Sequence, residues 1–173
     1  TLCLNIDMLL KVNNLPALTD FMAKNGLPVI NNYVLKAQDE ANELLRTLHL
    51  PLMVRALHPN QNNTRHIVER LDEFEDTINL AKSQSVTQEV IISRAINGLK
   101  EISLEILRDV RGNKMQIGAS EDMDPIGIHT ADSLSVSPIL TVQDQLISQM
   151  RDYAFRIADM LQLQEIGRAS CRE

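Results

Sequence analysis

Tryptophan is absent from the 173 residues, and the other aromatics stop at two tyrosines and three phenylalanines. The interior must therefore be built from aliphatic side chains. Positive charge is in short supply too: the formal net charge is −6 and the pI about 5.2. A nucleic-acid surface needs a basic stripe to displace counterions from phosphates, so no nucleic-acid partner is expected. No apolar run reaches the roughly 20 residues of a membrane helix, so no membrane partner is expected either. The first residues lack the basic segment and small-residue cleavage site of a signal peptide. Only two cysteines are present, Cys3 and Cys171, near opposite ends. That argues against a disulfide framework and fits a reducing, cytoplasmic setting. The four histidines, His49, His58, His66 and His129, have no metal-like spacing, and no Ser-His-Asp or Cys-His arrangement is suggested.

The composition that remains is ordinary for a globular domain, 44% apolar and 23% charged, and the length suffices for one domain with a real core. Residues 1–14 read as a short strand or a short helix. Pro16 to Lys24 carries Leu18, Phe21 and Met22 at helical spacing, ended by Asn25-Gly26 as by a left-handed cap. Pro28 to Leu35 reads as a strand. Ala37, Ala41, Leu44, Leu45 and Leu48 mark an amphipathic helix. Leu50 to Leu57 is a short buried strand, Pro59 to Thr64 a loop, and Ile67-Val68 a brief strand. Leu71, Phe74, Ile78 and Ala81 give another helix face. Gln88 to Ile92 is strand-like. Ile102, Leu104 and Ile106 alternate with Ser103 and Glu105, and Arg111-Gly112-Asn113 turns the chain into a returning strand, Lys114 to Ala119. Thr141 with Asp144 resembles a capping box opening the best helix, through Val142, Leu146, Met150, Tyr153, Ile157 and Met160. The order predicts an α+β fold with helices packed on a mostly antiparallel sheet. The end, Glu165-Ile-Gly-Arg-Ala-Ser-Cys-Arg-Glu173, has no apolar period and reads like translated sequencing-adapter DNA. It is set apart as a non-native tail.

The least periodic stretch is Met123-Asp-Pro-Ile-Gly-Ile-His-Thr-Ala-Asp-Ser133. With Pro51-Leu-Met-Val-Arg55 and Gly98-Leu-Lys-Glu101, in this order and spacing, it resembles the ATP-grasp module of the carbamoyl phosphate synthetase large chain. Gly127-Ile-His-Thr-Ala-Asp-Ser133 is similar to that family's G-I-H-T-G-D-S, and its His-Thr pair to the amino-terminal half. The resemblance runs without gaps from about Leu18 to Leu163. It implies an ATP-grasp-like fold whose C-terminal part is missing, with 1–164 a partial domain. It implies ATP with magnesium as cofactor, the magnesium ligands lying beyond this chain. It implies phosphorylation of bicarbonate to carboxyphosphate within pyrimidine and arginine biosynthesis. The partners it implies are a glutaminase small subunit and the remaining synthetase domains.

Five residues are the candidates for nucleotide binding, each with a plainer reading beside it. Arg55 would pair a phosphate through its planar fork; taken alone it reads as an arginine capping a carboxylate at a sheet edge. Glu101 would accept both ribose hydroxyls, or is a solvated strand-end charge. Gly127 and Ile128 would let backbone approach the nucleotide closely, or form a simple turn before Ser133. His129 would donate to phosphate, or carry the loop's own hydrogen bonds.

Several positions depart from the family. A glycine-rich loop should follow the P-x-x-x-R strand and fold its N–H groups over the phosphates. Here Ala56-Leu-His-Pro-Asn-Gln-Asn-Asn-Thr-Arg-His66 contains no glycine. Asn60, Asn62 and Asn63 tolerate left-handed backbone, whereas Pro59 removes a donor. Arg65, His58 and His66 would attract phosphate by charge instead. Leu15 stands where the family has an arginine, Arg94 where it has a glutamate near the adenine, and Ala131 where it has glycine. Each lost charged hydrogen bond costs roughly 1.5–3 kcal/mol. Three or four total about 5–10 kcal/mol, comparable with the roughly 8 kcal/mol of a micromolar ligand. The same residues therefore also suit a degenerate relative with a structural or partner-binding role.

Overall fold

A computed structural model describes residues 6–36, 44, 45, 47–59, 65–126 and 133–164, and the backbone of 166–172. It divides into two compact units, one comprising Asn14–Ala95 and the other Thr1–Asn13 with Ile96–Glu173.

In the first unit, α1 having preceded it at Ile6–Val12, helix α2 spans Leu15–Lys24. The Asn14 side chain caps it by accepting from the Ala17 N–H at 3.1 Å. At its other end Gly26 takes φ +69°, the left-handed turn expected there, and the Leu27 N–H reaches back to the Met22 carbonyl. Strands β1 (Asn32–Leu35), β2 (Leu52–Ala56), β3 (Arg65–Val68) and β4 (Val90–Arg94) form an antiparallel sheet in the order β1-β4-β2-β3. A 3₁₀ turn at Leu71–Glu73 leads into α3, Phe74–Ser83. Period-2 alternation puts Leu52 and Val54 on one sheet face, where Leu35, Val90, Ile92 and Val68 join them. Phe74, Ile78 and Ala81 of α3 close that core. Burial of each large side chain is worth about 1.5–3 kcal/mol. Of the helix expected over 37–48, residues 37–43 and 46 lie outside the described residues. Leu44, Leu45 and Leu48 pack on this core, and the Leu48 N–H donates to the Leu44 carbonyl at 3.0 Å.

In the second unit β5 (Glu101–Arg108) and β6 (Lys114–Asp122) form a hairpin. Its turn is built on Asp109, whose carboxylate accepts from the N–H groups of Arg111 and Asn113, each at 2.8 Å, and from the Asn113 amide. Those bonds, the Asn113 side chain first, hold the Asp109 carboxyl below its ordinary pKa. Strand β7, only Ser135–Val136, pairs with β6. Helix α4, Asp144–Met160, presents Met150, Ala154 and Ala158 to Ile102, Leu104 and Ile106 of β5. Two alanines four apart let its backbone lie close to the sheet. The segment set apart as a tail forms β8, Ile166–Arg172, antiparallel to β5.

Candidate functional site

Gly98 makes the turn that delivers the chain into β5, and its φ of +82° is the reason for a glycine there. Glu101, half-buried, is the first residue of β5. Ile126 is bound at both of its backbone groups to this turn. The Gly98 N–H donates to the Ile126 carbonyl and the Ile126 N–H to the Leu99 carbonyl, both at 2.9 Å. A second tie, from the Met123 N–H to the Leu134 carbonyl at 2.8 Å, holds the far side of the same excursion. Two segments distant in sequence, Gly98–Leu99 and Ile126 just before the G-I-H-T run, are thus brought together. Gly127, Ile128 and His129 themselves lie outside the described residues. Arg55 belongs to the other unit, where it stands half-buried on β2 opposite Arg65 of β3 and Ile91 of β4.

Beside Glu101, Lys100 lines a groove of about 470 Å³ together with Thr141, Val142, Gln143, Gln145, Leu146 and Gln149. These residues come from the first two turns of α4 and the segment before it. Within α4, Gln145 and Gln149 lie four apart on one helix face. Apart from Lys100 the lining offers only amides, a hydroxyl and aliphatic groups. Such a groove binds and orients; it supplies no general base.

The groove's rim is fixed by Glu121, which sequence reasoning missed. This carboxylate is 1% exposed. It accepts from the Leu140 N–H at 2.7 Å, the Thr141 N–H at 3.0 Å and the Thr141 hydroxyl at 2.6 Å. The Thr141 hydroxyl in turn accepts from the Lys100 ammonium. The Thr141 hydroxyl above all, then the Leu140 N–H, holds the Glu121 carboxyl below its ordinary pKa, with Lys100 assisting by charge. The capping-box expectation at Thr141 is corrected here. The N-cap of α4 is Gln143, with no side-chain cap, because the Thr141 hydroxyl is committed to a buried charge that needs it more. The signal for Glu121 was a charge two residues beyond Ala119 on the inward stripe of β6.

A nucleotide suits these residues: Glu101 supplies a carboxylate at the start of β5, and the Ile126 backbone is tied to the turn just before it. Among the described residues no group of three or more His, Cys, Asp or Glu is placed to hold a metal ion. Of the departing positions, Leu15 opens α2, and Arg94 is the exposed last residue of β4, paired with Leu52. No helix among the described residues is long and apolar enough to cross a membrane.

The family model described as "Carbamoyl-phosphate synthase L chain, ATP binding domain" matches residues 17–170. The carbamoyl phosphate synthase large chain of Pyrococcus furiosus is 34% identical over 142 residues, which are 82% of this chain and 13% of that protein. Its counterpart from Campylobacter jejuni is 32% identical over 146 residues, again 13% of its length. This chain therefore spans about an eighth of the relatives it matches. Among solved structures, a biotin carboxylase from Campylobacter jejuni superposes with a TM-score of 0.85 at 16% identity, over 99% of this chain and 39% of that one. That likeness is one of fold, an ATP-grasp α+β architecture.

Proposed function

The chain belongs to the family of the carbamoyl-phosphate synthase L chain ATP-binding domain, and on that premise we propose that it binds ATP for phosphorylation of bicarbonate to carboxyphosphate. The observation that supports this reading best is the double hydrogen bond of Ile126, the residue before Gly127, to the Gly98–Leu99 turn that precedes Glu101. Glu101 accepts the ribose hydroxyls. The backbone at Gly127 and Ile128 follows the nucleotide and His129 donates to a phosphate; the family resemblance makes Arg55 a further phosphate candidate. Transfer of the γ-phosphoryl group to a bicarbonate oxygen leaves ADP and carboxyphosphate. The protein's part in such a transfer is to position both reactants and stabilise spread negative charge. No step is assigned to magnesium, for which the described residues offer no ligand set. The remaining synthetase domains, and a glutaminase subunit supplying ammonia in the cytoplasm, complete the reading.

Equilibrium titration with ATP tests it. The wild-type chain saturates, and Glu101→Ala weakens binding by about tenfold or more, the worth of a charged hydrogen bond. Equal affinity in wild type and Glu101→Ala contradicts the assigned role.

A second reading draws on the glycine-free stretch Ala56–His66, on Arg94 and on Leu15. In it the chain keeps the fold and its interfaces and has lost ATP. Absence of any saturable ATP binding by the wild type selects it.

A further inference from the structure

Glu101 follows a turn with little stiffness of its own. Gly98 sits in the left-handed region, and nothing lies within 4 Å of the place a Cβ would occupy there. The backbone ties to Ile126 hold Gly98 and Leu99 and reach no further along the chain towards β5. On the other side of Glu101, Ile102 is 1% exposed, packed in the core against α4 and directly opposite Glu121 of β6. Opposed residues of an antiparallel pair share a sheet face, so Ile102 and Glu121 both point to the α4 side. Alternation along the strand turns Glu101 to the other side. Lys100 returns to the α4 side, where its ammonium donates to the Thr141 hydroxyl.

An exposed lysine loses rotamer freedom when it settles on a neutral hydroxyl. Here a carboxylate stands behind that hydroxyl. Thr141 donates its own proton to Glu121 at 2.6 Å, which fixes the hydroxyl, polarises it and leaves its lone pairs to Lys100. Glu121 is fixed in turn by the N–H groups of Leu140 and Thr141. We propose that Glu121, acting through Thr141 and Lys100, is a positioning residue for Glu101. The chain of bonds pins the backbone on one side of Glu101 as the buried Ile102 pins it on the other, and so aims the Glu101 carboxylate at the ribose. This rests on the nucleotide reading and deepens it. Glu121, Thr141 and Lys100 act through Glu101 and not on the nucleotide itself.

Lys100 is exposed, so its replacement leaves the core intact. The test titrates wild type, Lys100→Met, Lys100→Arg, Thr141→Val and Thr141→Ser with ATP and with 2′-deoxy-ATP, after cooperative unfolding confirms that each is folded. A Glu101 carboxylate that accepts both ribose hydroxyls makes the wild type favour ATP by about tenfold. Lys100→Met and Thr141→Val should bring that ratio to roughly threefold or less, mainly by loss of affinity for ATP. Lys100→Arg and Thr141→Ser, which keep the cation and the hydroxyl, should retain most of it. Equal weakening of both nucleotides by Lys100→Met, with the ratio intact, overturns the proposal and makes Lys100 a charge that attracts phosphate. Unchanged affinities in Lys100→Met overturn it as well and leave the nucleotide reading standing. A wild type that does not tell the two nucleotides apart overturns it together with the ribose role of Glu101. A wild type that binds neither removes the nucleotide reading and the positioning role with it.

Discussion

Asp159 serves two cations at once. Its carboxylate accepts from Arg108 Nε at 2.9 Å and from the Lys114 ammonium, tying the end of α4 to both arms of the β5–β6 hairpin. Arg108 also donates to the Leu163 carbonyl at 2.9 Å, and Lys114 sits 5.9 Å from the centre of the Phe155 ring. Lys114 first and Arg108 second hold the Asp159 carboxyl below its ordinary pKa. A carboxyl that gives up its proton more readily when folded stabilises the fold at pH above its unfolded value, about 3.9. That contribution is lost as pH falls through the lower folded value. With the side chain 45% exposed, solvent screens much of it, so the effect is small. Urea unfolding at pH 7 and pH 3 should find Asp159→Asn less stable than wild type at pH 7 and the gap narrower at pH 3. An equal deficit at both would mean that the charge of Asp159 is not what matters.

At the scale of elements, the end of α4 departs from the usual choice of residue. The Leu163 N–H reaches the Ala158 carbonyl at 2.9 Å and the Gln162 N–H the Asp159 carbonyl at 3.0 Å, the paired bonds of a left-handed helix stop. The residue in the left-handed position is Gln162, φ +51°, where glycine is free of steric cost. Gln162→Gly should therefore stabilise the fold by about 1 kcal/mol, raising the unfolding midpoint by roughly 2–4 °C. A lower midpoint would show that the glutamine side chain contributes more than its backbone costs. Helix α4 and the β5–β6 hairpin were legible in the sequence because their periods, 3.6 and 2, run long enough to stand above noise. Strand β1 begins at Asn32, later than its apolar run at Pro28, since Pro28 brings no N–H to a ladder. Strand β4 begins at Val90, past Gln88, whose φ of +57° is incompatible with a strand. The two residues of β7 carry no period at all; pairing with β6 alone defines them. Within the site, Gly98 and Glu101 were readable as a local motif. Glu121 was not, because its role depends on donors at Leu140 and Thr141, 19 and 20 positions away.

Taken whole, the molecule consists of two units, each a four-stranded antiparallel sheet with a helix on one face. Of the residues proposed for nucleotide binding, Arg55 lies in the first unit and Glu101 in the second. The β8 segment, whose order suggests a non-native tail, matches the family model as far as residue 170. Its pairing with β5 covers a strand edge, which is a backbone requirement that many sequences meet. The central claim is that this architecture still binds ATP without a glycine-rich loop. The most direct measurement is thermal unfolding of the chain with and without Mg-ATP. At a hundredfold excess over Kd, binding adds about 2.7 kcal/mol, and the midpoint should rise by roughly 5–10 °C for a domain of this size. An unchanged midpoint at millimolar Mg-ATP would contradict the claim and leave a fold retained for its interfaces.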